Sequence, residues 1–315
     1  MKGIVIKSTG SNYLVENAVS GEIVDCKIRG KLRLEGIRTT NPVAVGDIVD
    51  FEIDEANDVA VIKSIEKRKN YIIRKSTNLS KESHIIASNL DQCMLVTTLI
   101  MPETSLEFVD RFLVTAEAYK VPAILVFNKS DIYTDGFEEV LKETMEIYQN
   151  IGYKCIAVSS VTKEGLEELK SLMKDKITLL SGNSGTGKST LINTINPGLN
   201  LKTGEISSYS LAGKHTTTFA EMFKLDFGGR IIDTPGIRGF GMIGMTSEDV
   251  AHNFPEIFSR LSECKFYNCT HTHEPGCAVK QALDMGEISP SRYHSYLSII
   301  SDDESEKYRT KGRDK

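Results

Sequence analysis

Gly182-Asn183-Ser184-Gly185-Thr186-Gly187-Lys188-Ser189 is the stretch that decides the fold. The apolar run Ile177 to Leu180 leads into it, and an apolar helical pattern leaves it from Lys188. A strand, a glycine turn and a helix in that order let backbone N–H groups and a helix N-terminus cradle phosphates. Glycine at 182 and 187 removes the Cβ from backbone that must approach an anion. Lys188 is expected to reach the β- and γ-phosphates and Ser189 to ligate Mg²⁺, with Thr190 completing the first helical turn. By average composition such a match arises by chance in about one chain in a hundred of this length. Alone it could be a glycine turn with a surface lysine, so the other motifs decide.

Three further loops come after strand-like runs. Ala123 to Phe127 (AILVF) is continuously apolar, as a buried parallel strand is, and delivers Asn128-Lys129-Ser130-Asp131 at its carboxyl end. An aspartate there accepts from the N1–H and exocyclic amine of guanine. Adenine lacks that donor pair, so Asp131 selects GTP over ATP and argues against a P-loop kinase or ATPase. Cys155 to Val158 delivers Ser159-Ser160, where a backbone N–H can meet guanine O6. Arg230 to Ile232 delivers Asp233-Thr234-Pro235-Gly236, with Asp233 as the Mg²⁺-side carboxylate and the Gly236 N–H near the γ-phosphate. Ordinary GTPases run phosphate loop, DxxG, NKxD; here NKSD comes first, so the chain reads as a circular permutation.

Residues 201–222 are rich in Ser, Thr and Gly and occupy the place of a switch I, centred on Lys214-His215-Thr216-Thr217-Thr218. Thr217 is the candidate metal-holding threonine and His215 the candidate aid to water attack. Ile237 stands where Ras-like enzymes carry a water-orienting Gln. An aliphatic side chain cannot hydrogen-bond water, so intrinsic hydrolysis is expected to be slow. A nucleotide-gated RNA-binding scaffold that hardly turns over would carry the same motifs. Because DxxG runs through 237–241 toward the C-terminal region, loss of the γ-phosphate is expected to reorient that region.

The chain of 315 residues, 40% apolar, has room for two or three cores. A net charge of −5 argues against nonspecific coating of nucleic acid. No stretch approaches the ~18 apolar residues of a membrane span, and MKGIVIKSTG lacks the long apolar segment expected of a secretory signal. Three scattered cysteines and one cluster make no disulfide framework, so a reducing, cytoplasmic setting is expected. The runs Gly3 to Lys7, Asn12 to Glu16, Gly21 to Ile28, Ile48 to Ile53 and Val59 to Ile65 predict an all-β barrel of OB type over 1–70. Lys27, Arg29, Lys31, Arg33, Arg38, Lys63, Lys67, Arg68, Lys69, Arg74 and Lys75 offer it an RNA face, although 13 basic against 11 acidic residues over 1–78 fit a solvated surface as well.

Strands then alternate with helical patterns at Leu106 to Tyr119, Phe137 to Ile151 and Gly165 to Lys174. They predict an α/β, doubly wound P-loop domain over 71–245. The region 246–315 reads as a small α-helical unit with helices Ser247 to Leu261, Ala278 to Met285 and Ser289 to Ile300, then a charged, frayed tail. It holds Cys264-x4-Cys269-x-His271-x5-Cys277, four ligands suited to a closed, structural Zn²⁺ site, with His273 as the alternative to His271.

A permuted G domain between an OB-like barrel and a Cys/Cys/His/Cys segment resembles the ribosome small-subunit-dependent GTPase A (RsgA) family. The resemblance extends over nearly the whole chain, including Gly213 to Thr218 and Cys269 to Cys277. It implies a bacterial cytoplasmic GTPase, monomeric, that binds the 30S subunit and its 16S rRNA late in maturation. It further implies GTP hydrolysis stimulated by that subunit, and one Zn²⁺ on Cys264, Cys269, His271 and Cys277.

Overall fold

Alternating apolar and polar residues build strands β1 (Lys2–Ser8), β2 (Tyr13–Asn17), β3 (Ile23–Ile28), β4 (Ile48–Asp54) and β5 (Val59–Ile65). β1 pairs with both β2 and β4, β2 with β3, β3 with β5 and β5 with β4, so the circuit closes. Val5, Tyr13, Val15, Cys26, Val49, Phe51 and Ile62 fill the barrel. The computed structural model describes residues 1–10, 12–28, 42–54, 59–75, 83–199, 201, 220–233 and 245–311.

A hairpin, β6 (Tyr71–Lys75) and β7 (Ser83–Ser88), bridges the barrel to the central sheet. Its rivet is Asp47, fully buried at the entry to β4. The carboxylate accepts from Arg68 Nε and Nη2, each at 2.6 Å, from Ser88 Oγ at 2.6 Å and from the Ala44 N–H at 2.8 Å. A buried charge is tolerated only when its lone pairs are filled in this way.

Among the described residues, five parallel strands form the central sheet. They are β8 (Gln92–Thr97), β9 (Ala123–Asn128), β10 (Lys154–Val158), β11 (Ile177–Ser181) and β13 (Arg230–Asp233), in spatial order β10-β9-β8-β11-β13. Antiparallel β12 (Glu221–Lys224) lies beyond β13 and joins β1 of the barrel, which makes barrel and G sheet continuous. Alternate residues serve opposite faces. Leu95, Leu125, Phe127 and Leu179 meet α1 (Leu106–Ala118) and α2 (Phe137–Ile151). Met94, Val96, Val126 and Leu180 meet α3 (Leu166–Met173) and α4 (Lys188–Ile195). The strand and helix runs read from sequence here agree with the elements to within about two residues.

The C-terminal unit departs from its reading in two places. Ser247 to Leu261 is not one helix but α5 (Ser247–His252), α6 (Pro255–Phe258) and a 3₁₀ turn, Leu261–Glu263. Pro255 bars the helical region to the residue before it, and Phe254 is extended (φ −107°, ψ 101°). After α7 (Ala278–Asp284), α8 (Pro290–Lys311) does not end at Ile300 but carries the tail onward as helix. None of the described helices is long and apolar enough to cross a membrane.

Arg292 of α8, 1% exposed, fastens this unit to the G domain. Its Nη1 donates to Asp110 of α1 at 2.7 Å, and its Nε and Nη2 to Glu256 of α6 at 2.7 and 3.2 Å. The guanidinium lies 4.4 Å from the Phe254 ring centroid, and Tyr148 Oη also donates to Asp110, at 2.9 Å. Val114 of α1 packs into the same apolar cluster as Val250, Phe254, Ile257 and Tyr296. Arg292→Ala leaves the Asp110 carboxylate buried without its cation. We expect a loss of about 3–5 kcal/mol, read in urea unfolding of the full chain.

Candidate GTP site and metal centre

The loops after β9, β10 and β11, and Asp233 at the end of β13, lie at the carboxyl ends of strands that run in the order β10-β9-β8-β11-β13. Gly182, Gly185 and Gly187 have φ of 144°, 83° and 87°. A Cβ on Gly182 would stand 2.2 Å from the Val96 carbonyl oxygen, backbone that cannot yield, and one on Gly187, already at a φ that favours glycine, 2.5 Å from Asn128 Nδ2, which would have to move. Thr186 Oγ1 donates to the Asn183 carbonyl at 2.9 Å and closes the loop. Lys188 Nζ donates to the carbonyls of Gly182 at 2.7 Å and Asn183 at 2.6 Å. Burial pulls the Lys188 ammonium down to about 8, and nearby Asp233 opposes that shift. Ser189 is buried beside it in the first turn of α4, whereas Ser184 and Thr190 are exposed. Asp233, nearly buried at the end of β13, is in register with Leu180, two residues before Gly182.

The base loop is tied to the phosphate loop rather than merely near it. Asn128 Nδ2 donates to the Thr186 carbonyl at 2.8 Å inside the protein. Lys129, at φ 63°, donates from Nζ to the Met101 carbonyl. Ser159 Oγ donates to Asp131 Oδ1 at 2.5 Å, while accepting the N–H groups of Val161 and Thr162 at 3.1 Å each. That fixes the orientation of the aspartate. The Ser159 N–H is itself taken by the Glu164 carbonyl at 3.1 Å. Ser130 Oγ lies 3.4 Å from Glu164 Oε2. His215, Thr217, Gly236 and Ile237 lie outside the described residues, as do Arg29, Lys31, Arg33 and Arg38.

Cys264, Cys269, His271 and Cys277 bring one ligand atom each within 4.8 Å of the others and can hold a metal ion. His271 Nδ1 faces the sulfurs of Cys277 at 3.4 Å and Cys264 at 3.7 Å. His273 is exposed, with its Nδ1 bonded to Thr272 Oγ1 at 2.8 Å. Burial raises the Cys269 thiol to about 12, so a thiolate there calls for a cation. Glu274 anchors the loop by accepting from the N–H groups of Thr270, Thr272 and His273.

A family model described as RsgA GTPase matches residues 65–243, and one described as RsgA N-terminal domain matches residues 2–62. The chain belongs to the RsgA GTPase family. It is therefore a GTP hydrolase. A small ribosomal subunit biogenesis GTPase RsgA of Phocaeicola vulgatus is 56% identical over 309 residues, 98% of this chain and 99% of that protein. One of Flavobacterium psychrophilum is 54% identical over 312 residues, 98% of this chain and 95% of that protein. The crystal structure of YjeQ from Thermotoga maritima superposes with a TM-score of 0.78 at 36% identity, over 96% of this chain and 97% of that one. That of YloQ, a circularly permuted GTPase, does so with 0.75 at 30%, over 97% and 95%.

Several residues that brace these loops carry no sequence signal. Tyr133 Oη donates to the Asn128 carbonyl at 2.6 Å and accepts the Leu99 N–H at 3.0 Å, which links the base loop to the end of β8. Pro102, in the loop after β8, would lie 3.3 Å from a Cβ on Gly185. No motif marks either residue. Among the barrel's basic residues Arg68 is spent on Asp47, and Lys63 and Lys69 pair with Glu52 and Asp91.

Asp131→Asn is expected to weaken GTP and strengthen xanthosine triphosphate, whose C2 oxygen suits an amide donor; unchanged GTP affinity would sink the assignment. The Lys188 cation is the form that phosphates bind, and it is lost as pH rises through about 8. Apparent GTP affinity should fall about tenfold from pH 7 to 9, with proton uptake on binding near pH 8 in calorimetry. A flat profile would contradict the buried lysine's role.

Proposed function

We propose that this chain binds the small (30S) ribosomal subunit through its 16S rRNA and assists its late maturation. It hydrolyses GTP to GDP and phosphate with stimulation by that subunit, as a cytoplasmic monomer. The observation that carries the reading is the placing of base loop, phosphate loop and Asp233 at the carboxyl ends of one sheet's strands, between a closed barrel and a Cys/His module. Proteins named for small ribosomal subunit biogenesis are similar to this chain over almost their full length. The three parts correspond to 1–70, 71–245 and 246–315.

Asn128, Lys129, Ser130 and Asp131, with Ser159 and Ser160, hold the guanine. Gly182, Asn183, Ser184, Gly185, Thr186, Gly187, Lys188, Ser189 and Thr190, with Gly236, hold the phosphates. Water attacks the γ-phosphoryl group, and the chain supplies position and charge rather than a covalent intermediate. Lys188 turns its donors from the Gly182 and Asn183 carbonyls to phosphate oxygens. Mg²⁺, when bound with GTP, offsets charge on the β- and γ-phosphates. The buried Ser189 hydroxyl and the Asp233 carboxylate fit it, with Thr217 as a further ligand. His215 positions water or the switch segment. Cys264, Cys269, His271 through Nδ1, and Cys277 suit one Zn²⁺ with no open position, so that ion is structural.

Two experiments test this. GTP turnover is measured with and without purified small subunits: the chain alone should be slow, the subunit should raise kcat, and His215→Ala should lose much of the increase while binding GTP nearly as well. No response to subunits would overturn the proposed partner; full stimulation in His215→Ala would remove only the histidine. Metal analysis should find one zinc per chain, and Cys264→Ser should lose it and loosen 246–300 while GTP affinity stays within about threefold. Native protein without zinc would contradict the metal assignment.

A further inference from the structure

Asp233 ends a hairpin whose outer strand pairs with the barrel. The free edge of the β12–β13 hairpin is taken by barrel strand β1: Lys7 is the cross-strand partner of Glu221, Glu221 that of Asp233, and Asp233 that of Leu180. One row of paired backbone thus runs from the barrel to the root of the phosphate loop. Directly opposed residues of antiparallel strands leave the same face with Cβ atoms about 4.5–5.5 Å apart. Glu221 therefore stands beside Asp233 as a like charge, and Lys7 Nζ, 3.0 Å from Glu221 Oε2, answers it from the barrel.

The other end of the hairpin is gripped as well. Glu16 of β2 accepts from Arg230 Nη1 at 3.0 Å and Nη2 at 2.8 Å, and pairs with Lys224 Nζ at 2.9 Å. Lys224 closes β12 and Arg230 opens β13, so a single barrel carboxylate spans the turn between the two strands. The Glu16 side chain is 10% exposed and that of Arg230 22%, which places this pair in a partly desolvated seam rather than in open solvent. The barrel has its own apolar core, to which neither Glu16 nor Lys7 belongs.

We propose that Glu16 and Lys7 are positioning residues of the GTP site: from the barrel they fix the β12–β13 hairpin, and with it Asp233, so that a partner seated on the barrel is felt at that carboxylate. This rests on the reading of Asp233 as the Mg²⁺-side group. The test uses the full-length chain alone and a fluorescent, non-hydrolysable GTP analogue titrated with MgCl₂. Glu16→Gln and Lys7→Gln should each raise the Mg²⁺ concentration that half-tightens the analogue by about threefold to tenfold, leaving affinity in EDTA within about twofold. Phe51→Leu, which loosens the barrel core without touching the hairpin, should leave the Mg²⁺ midpoint in place. Unmoved midpoints in both Gln variants, or an equal move in Phe51→Leu, would overturn the proposal alone. A wild-type chain whose analogue affinity ignores Mg²⁺ would contradict the reading of Asp233 and this proposal with it.

Discussion

A buried hydrogen bond, from the Asn128 side-chain amide to the Thr186 carbonyl, ties the base loop to the phosphate loop. It forms because Gly187 has no Cβ; a methyl group there would collide with the amide it needs to admit. Such a bond contributes about 1 kcal/mol net, but breaking it leaves buried polar groups unpaired at a larger cost. The same economy of position recurs around it. Ser159 orients Asp131, Tyr133 spans Asn128 and Leu99, and Lys129 reaches the Met101 carbonyl. The parallel sheet brings the loops to the carboxyl ends of its strands, and these side chains fix them relative to one another.

Permuting the chain changes what is attached to that site rather than the site itself. The base-loop strand now comes early, β12 meets the barrel on one side, and the chain after Asp233 leads to the unit with the Cys/His cluster. Direct sequence linkage through 237–241 favours a swing of this unit on loss of the γ-phosphate. Arg292 constrains that idea. Its bonds to Asp110 and Glu256 bind the unit to α1, and a buried pair of this kind is not broken cheaply. Any nucleotide-driven movement of the unit must therefore carry α1 along or be transmitted within it. The barrel, by contrast, pairs through β1 with β12, the neighbour of the strand that carries Asp233.

Much of this was legible in the sequence, for physical reasons that differ by element. Central parallel strands are buried on both faces, so Ala123 to Phe127 and Ile177 to Leu180 read as continuous apolar runs. The barrel strands alternate and are punctuated by turns. The phosphate loop is dictated by local backbone geometry and so has a local signature. What could not be read joins residues far apart: Asp47 with Arg68, Asp110 with Arg292, Glu16 with Arg230. No periodicity marks such partners, and by sequence Arg68 is one more surface cation. The broken helix at Pro255 was a local signal that the apolar spacing around it outweighed.

If the GTP site governs engagement of the small subunit, the nucleotide bound there must change the affinity for that subunit. Sedimentation of the chain with purified 30S subunits at moderate salt, in the presence of a non-hydrolysable GTP analogue or of GDP, reads this without any intervening step. Tighter co-sedimentation with the analogue is the predicted result. Equal affinity in the two states would contradict the switch, whatever the chemistry at the site.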